Sequence, residues 1–256
     1  MSIDINSDLG ESFGNYEKGN DPILMEYISS ANIACGFHAG DFTTMRRTVL
    51  LCLEAGVSIG AHPSYPDLQG FGRRNMEFTP VEIYSMVLYQ VGALKSIAEA
   101  EGGTLRHIKP HGAMYNNASD SSEKAMAIVE AVRKAGDELI LLCLAGSAME
   151  DAAIKAGIRY ASEAFSDRQY DSRGRLVPRS HREAVIHNPE VCASRVLDMV
   201  TKKRIITIES QFLSINPDSI CVHGDTQGAI EILKAIRGVL DRSAIPVKPF
   251  KGRMVK

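Results

Sequence analysis

Residues 30–41 read SANIACGFHAGD. Ala31, Ile33, Ala34 and Cys35 are small or apolar, the composition of a strand covered on both faces. The run then breaks through Gly36, Phe37, His38, Ala39 and Gly40 to Asp41. From there Met45, Val49 and Leu53 recur at helical spacing as far as Gly56, with Asp41 in the position of a helix cap. A strand that ends beside a histidine and turns directly into a helix is one βα unit. A single such histidine decides nothing; its recurrence does.

The unit recurs. Short apolar runs lie at 3–6, 57–61, 107–109, 139–144, 158–161 and 220–222, with a weaker one at 245–247. The segments between them carry helix signals. Thr79-Pro80-Val81-Glu82 is a capping box with proline at the first helical position, followed by an apolar face of Ile83, Val87, Val91, Leu94 and Ala98 and a stop at Gly102-Gly103. Asp120 and Glu123 make a similar box before Met126, Val129 and Val132, ending at Gly136. Asp225 precedes a last helix on Ile230, Leu233, Ile236 and Leu240. No linker, charge block or internal repeat divides the chain, so the reading is one α/β domain over 1–256. Seven or eight strands fit an irregular, TIM-barrel-like (β/α) barrel better than a short open sheet, the alternative being a doubly wound sheet.

Composition narrows the class. Of 256 residues 45% are hydrophobic, enough for a large core, and 29 Lys+Arg stand against 31 Asp+Glu. That balance argues against nucleic acid or an anionic membrane as partner. The start, MSIDINSDLGES, lacks the pattern of a secretory leader, and the longest apolar stretch, 139–145, is too short to span a bilayer. Five cysteines, at 35, 52, 143, 192 and 221, occur without a CxxC pair, which reads as reduced thiols in a cytoplasmic protein.

The strand ends share a chemistry. The first leads through Asn6-Ser7-Asp8 to Glu11, the second to His38 and Asp41, the third to His62, the fourth through Lys109 to His111. A later one leads to Glu163 and Asp167, and the last runs Cys221-Val222-His223-Gly224-Asp225. In a barrel these ends meet at one mouth. Asp8, His38, Asp41, His62, Lys109, His111, His223 and Asp225 are therefore the catalytic candidates, as acid–base groups and charge stabilisers. Each of the aspartates at 41 and 225 serves equally well as a helix cap. Asn6, Glu11, Asn32, Arg73, Glu163, Asp167, Arg168 and Arg179 are candidates for holding substrate. Asp8, His38 and His62 suit a divalent metal, although no HExxH motif is present. Cys35 is either a nucleophile near His38 or, more simply, a small core residue.

Two irregular segments stand out. Residues 63–75, PSYPDLQGFGRRN, carry Asp67, Arg73 and Arg74; residues 166–188 carry Arg168, Arg173, Arg175 and Arg179. Long loops of this kind act as lids or binding loops, and arginine suits carboxylate or phosphate. The sequence contains no GxxxxGK[ST], no GxGxxG between strand and helix and no GxSxG nucleophile elbow, the match Gly56-Val57-Ser58-Ile59-Gly60 opening an apolar run instead of following one, which disfavours a P-loop NTPase, a standard dinucleotide enzyme and a serine hydrolase of that type.

DINSDLGESFG, SANIACGFHAGD, GAHPSYPDLQGFGRR, HIKPHGAMYN, SEAFSDRQYDSRGRLVPRS and CVHGD, in this order from about residue 4 to residue 250, resemble the LamB/YcsF family. The resemblance implies the A subunit of a bacterial ATP-dependent 5-oxoprolinase, which with partner subunits B and C converts 5-oxo-L-proline, ATP and water to L-glutamate, ADP and phosphate. It implies ATP, accompanied by Mg2+, as co-substrate. It also implies a seven-stranded or irregular barrel related to glycoside hydrolases and metal-dependent polysaccharide deacetylases. Those deacetylases use an Asp after strand one and two His after strand two. Asp8 matches the first, whereas the second segment has one histidine, His38, and then Asp41. Under this reading Lys109 or an arginine balances developing negative charge, and Arg168 or Arg179 holds the substrate carboxylate. The alternatives are a metal-dependent deacetylase or carbohydrate hydrolase, and a non-catalytic subunit that binds substrate for a partner.

Overall fold

A computed structural model describes residues 1–224 and 228–254. In chain order the elements are β1 (Asp4–Leu9), α1 (Asp21–Leu24), β2 (Ser30–Ala34), α2 (Phe42–Ala55), β3 (Ser58–His62), α3 (Pro80–Ala100), β4 (Leu105–Ile108), α4 (Gly112–Asp120), α5 (Ser122–Ala135), β5 (Ile140–Leu144), α6 (Ala148–Ala156), β6 (Tyr160–Phe165), α7 (Pro189–Thr201), β7 (Arg204–Ile206), β8 (Phe212–Ser214), β9 (Ser219–Cys221) and α8 (Ala229–Arg242). Seven strands close a parallel barrel in the order β1-β2-β3-β4-β5-β6-β9, with β9 pairing back onto β1.

The eighth candidate strand, at 245–247, does not join the barrel as a strand. It makes a single parallel bridge, Ile3 to Val247, in which Ile3 N donates to the Pro246 carbonyl and Lys248 N to the Ile3 carbonyl. Pro246 has no N–H with which to extend a ladder. In its place the chain adds an antiparallel hairpin, β7 with β8, outside the barrel.

Several strands run further than their apolar stretches. β1 continues through Ser7 and Asp8, and β6 through Ser162 and Glu163. Alternation explains this. Asp4, Asn6 and Asp8 lie on one face of β1 and bond across the barrel interior, while Ile5 and Leu9 on the other face join the apolar core with the helices. The barrel interior is polar along this seam, so the strands there do not read as apolar runs.

Helix caps follow the sequence with two corrections. Asp41 accepts from Thr43 N and Thr44 N, the Thr79/Glu82 box forms, and α2 ends at left-handed Gly56. The cap of α5 is Ser121, because Asp120 is the last residue of α4. Gly228 caps α8, whose buried face is Ala229, Ile232, Leu233, Ile236 and Leu240, with Ile230 turned partly outward. Among the described residues no helix is long and apolar enough to cross a membrane.

Candidate active site

Lys109 follows β4 and stands at the centre of the C-terminal mouth. Its Nζ lies 2.9 Å from Glu163 Oε1, 3.1 Å from Asp8 Oδ1, 3.1 Å from Asn6 Oδ1 and 3.0 Å from Cys221 Sγ. Burial opposes a charge here, but Asp8 and Glu163 more than offset it and hold the ammonium well above its ordinary range. Burial likewise opposes ionisation of Asp8, and His62 and Lys109 hold its carboxyl well below the usual carboxylate range. The result is a fixed lysine cation between two carboxylates.

Asn6, Asn32 and Glu163 build the support beneath it. Asn6 Nδ2 donates to Glu163 Oε1 at 2.8 Å and to Ser219 Oγ at 2.7 Å; Asn32 Nδ2 donates to Asn6 Oδ1 at 2.7 Å and Asp8 Oδ1 at 2.9 Å. All three side chains are fully buried and none lines the cavity at the mouth. The expectation that they touch substrate is corrected: they orient Lys109 and Asp8. Tyr115, on α4, donates from its hydroxyl to Glu163 Oε2 at 2.8 Å and does line the cavity. Strand ends alone do not point to Tyr115, since it sits one helical turn beyond His111.

A histidine cluster adjoins the lysine. His62 Nε2 lies 3.3 Å from Asp8 Oδ2 and 2.9 Å from His111 Nδ1. His38 stacks on His111 with ring centroids 3.8 Å apart and planes 5° from parallel, and its Nε2 lies 3.2 Å from Glu11 Oε1. Burial pushes His38 and His111 well below the ordinary histidine range, helped by neighbouring rings, so both imidazoles are neutral near neutral pH. The backbone of Gly72, at φ +65°, passes so close that a Cβ there would sit 2.7 Å from His111 Cδ2 and 2.8 Å from His38 Cβ. Among the described residues two groups have donor atoms close enough to hold a cation: Glu11, His38, His62 and His111, and separately Asp8, Cys221 and His223. The expected triad of Asp8, His38 and His62 is thus divided between the two.

The third constellation is His223 with Asp167. Nδ1 of His223 lies 3.1 and 3.0 Å from the two carboxylate oxygens of Asp167, and the ring stacks on Phe165 at 5.3 Å. With Nδ1–H directed at a carboxylate, Nε2 carries the lone pair and can take a proton.

Part of each constellation faces a cavity of about 580 Å³ whose wall includes Asp8, Lys109, His111, Tyr115, Phe165 and His223. Arg73, Arg168, Arg175 and Arg179 stand on its rim, the last three from the 166–188 loop. Arg168 has a second duty: its Nε and Nη2 donate to the carbonyls of Ala184 and Val177 and so shape that loop. Burial lowers its guanidinium to about 10. His38, His62 and Glu11 lie behind the cavity, joined to it through His111 and Asp8.

Asp41 is elsewhere. Its carboxylate caps α2 and accepts from Gly14 N, and it borders a separate outer groove of about 950 Å³ that contains none of the histidines. Its placing among the catalytic candidates is therefore corrected to a structural cap. Asp225 lies outside the described residues. Cys35 is a core thiol, with its Sγ donating to the Ile33 carbonyl and burial pushing it up to about 12.

Comparison with known proteins places this arrangement. Residues 3–255 match the LamB/YcsF family profile. The chain is 48% identical over 251 residues to the 5-oxoprolinase A subunit from Pyrococcus horikoshii, covering 98% of each chain. It superposes on the crystal structure of a lactam utilization protein from Thermus thermophilus with a TM-score of 0.92 at 41% identity, covering 98% of this chain and all of that one. A family 4 carbohydrate esterase from Streptomyces lividans shares the barrel alone, at a TM-score of 0.51 and 14% identity over 99% of this chain and 96% of its own. The near-complete match to the profile and to these relatives means that the chain belongs to the LamB/YcsF family.

Proposed function

We propose that this chain is the A subunit of an ATP-dependent 5-oxoprolinase that opens the lactam of 5-oxo-L-proline to L-glutamate, working with partner subunits B and C. The observation that carries the reading is the charged Lys109, held between Asp8 and Glu163 and facing the same cavity as His223, whose ring is backed by buried Asp167. The names of the relatives support the substrate.

A five-membered lactam is a stable amide, and coupling to ATP supplies the driving force. Transfer of the γ-phosphoryl group to the lactam oxygen forms an O–P bond and releases ADP. A water that gives its proton to His223 Nε2 then adds to the ring carbon. The C–N bond breaks as the ring nitrogen takes a proton, and a second water hydrolyses the remaining acyl phosphate. Lys109 balances the charge that develops on oxygen during addition. The rim arginines hold the substrate carboxylate, with Arg168 also spending two of its donors on the loop. The lack of a P-loop motif supports placing ATP and its Mg2+ on the assembled complex rather than on this chain alone.

The test is glutamate and ADP formation from 5-oxoproline and ATP, with this chain alone and with its B and C partners. Equal amounts of glutamate and ADP from the full mixture only are expected. No glutamate when all three proteins are folded and associated overturns the reading. Loss of turnover in His223→Ala with 5-oxoproline binding retained separates a catalytic role from mere presentation of substrate.

A further inference from the structure

The hydrogen bonds around the histidine cluster determine which ring nitrogen carries each proton. His62 Nδ1 lies 2.6 Å from the Lys109 carbonyl oxygen, which only accepts, so Nδ1 carries a proton, and Nε2, 3.3 Å from Asp8 Oδ2, is the atom that takes either a second proton or a metal. His111 is held the other way round: Nε2 lies 2.9 Å from the Phe71 carbonyl oxygen, leaving the lone pair on Nδ1. His38 Nδ1 lies 3.0 Å from Ser64 Oγ, whose own proton is directed at the Tyr65 carbonyl, so His38 donates there and its lone pair is on Nε2.

All three rings thus anchor one N–H outward and turn the other nitrogen inward. His62 Nε2 faces His111 Nδ1 at 2.9 Å, and His38 Nε2 faces the Glu11 carboxylate oxygen at 3.2 Å. Lone pairs at such distances repel unless positive charge lies between them. A proton relieves one pair; a cation at the centre relieves all four atoms at once. Anchoring of the outer N–H on a carbonyl or similar acceptor is also how metal-binding imidazoles are oriented.

We propose that Glu11, His38, His62 and His111 form a binding site for one divalent cation of the zinc type, distinct from any magnesium that accompanies ATP. The donor atoms lie within 4.8 Å of one another, and all four residues are buried. Ligands at about 2.0–2.1 Å from zinc stand roughly 3–3.4 Å apart; the His38–Glu11 pair at 3.2 Å already has that spacing, and the His62–His111 pair at 2.9 Å reaches it by opening a few tenths of an ångström. Three imidazole nitrogens with one carboxylate favour Zn2+, Co2+ or Ni2+ over Mg2+ or Ca2+. Only His111 of the four lines the cavity, so the cation would fix that ring at the cavity wall. The site goes beyond the proposed lactam chemistry and stands or falls without it.

The chelator-treated full chain is titrated with Co2+ and with Zn2+, followed by visible absorption and elemental analysis after desalting. One equivalent of tightly held metal, a cobalt d–d spectrum and no displacement by millimolar Mg2+ are expected. His62→Ala and His111→Ala are expected to weaken binding at least 100-fold, and Glu11→Gln about 10-fold. Circular dichroism checks that each variant is folded. If the alanine variants fail to fold, the wild-type stoichiometry and 15N imidazole shifts decide, because metal ligation moves the His62 Nε2 and His111 Nδ1 resonances. Folded wild-type protein that retains no stoichiometric Co2+ or Zn2+, or a proton resonance shared between those two nitrogens that metal does not displace, overturns the proposal. So does unchanged binding in folded His62→Ala and His111→Ala.

Discussion

Lys109 illustrates how far one residue type constrains a site. A buried ammonium between two carboxylates is stable only while all its partners remain. Lys109→Met leaves Asp8 and Glu163 facing each other uncompensated, and unfolding in urea should show a loss of about 3–5 kcal/mol. Glutamate formation by the complex should fall by about 10²–10³-fold or more. Lys109→Arg should not restore it, since a planar guanidinium cannot replace a point charge in this closed setting. A Lys109→Met protein of wild-type stability would mean that the three charges do not interact as described. At His223 the orientation of the ring is the functional variable. Asp167→Asn removes the negative charge and turns one of the two acceptor oxygens into an N–H donor, so Nδ1–H of His223 is no longer enforced and kcat should fall by about 10²–10⁴-fold with little change in KM. Strand ends in the sequence point to Asp8, Lys109, His111, Asp167 and His223, because each follows an apolar run. Depth is another matter. Asn6 and Asp8 share a strand face by simple alternation, yet one is under the floor and the other on the wall, and nothing in their spacing distinguishes them.

At the scale of elements, two glycines show why the strands and loops meet where they do. Gly60 lies within β3, and a Cβ on it would collide with Nε2 of His107, whose ring passes over β3 from β4 to bond Asn32 Oδ1 on β2. Gly60→Ala is therefore an overpacking change, expected to cost at least about 1–3 kcal/mol in a thermal or urea melt. Gly72→Ala combines a left-handed backbone with a clash against His38 and His111, so stability and turnover should fall together. Gly92, exposed in α3 with open space around its Cα, is the counterexample: Gly92→Ala should raise stability by roughly 0.5–1 kcal/mol. If Gly72→Ala leaves both stability and activity intact, the loop does not press on the histidines. The helices are legible from capping boxes and apolar faces. The hairpin of β7 and β8 is not, because each strand is three residues long, too short for an alternating pattern to show around Ile205 and Leu213.

Closure of the whole barrel rests partly on a buried acid at the end opposite the site. Asp4 on β1 accepts from the hydroxyls of Ser29 and Ser30 at 2.6 Å each, and from Ser219 on β9, so one carboxyl ties together the first, second and last barrel strands. The sequence shows the barrel through its recurring units, but not this tie, because an aspartate inside an apolar run has no partner visible in one dimension. Burial raises its pKa from 3.8 to about 6, against the opposing pull of the three hydroxyls. Between these two values the folded chain holds a proton that the unfolded chain has released. Stability from this group is thus complete below about pH 4 and is lost as pH rises through 6, a difference of about 3 kcal/mol for a shift of roughly two units. Asp4→Asn does not titrate. Its unfolding free energy relative to wild type should therefore climb by about 3 kcal/mol between pH 4 and 7 and then level off, whatever constant offset the amide introduces. A difference that stays flat across that range would mean that Asp4 is already ionised in the fold at pH 4, and that the three hydroxyls outweigh its burial.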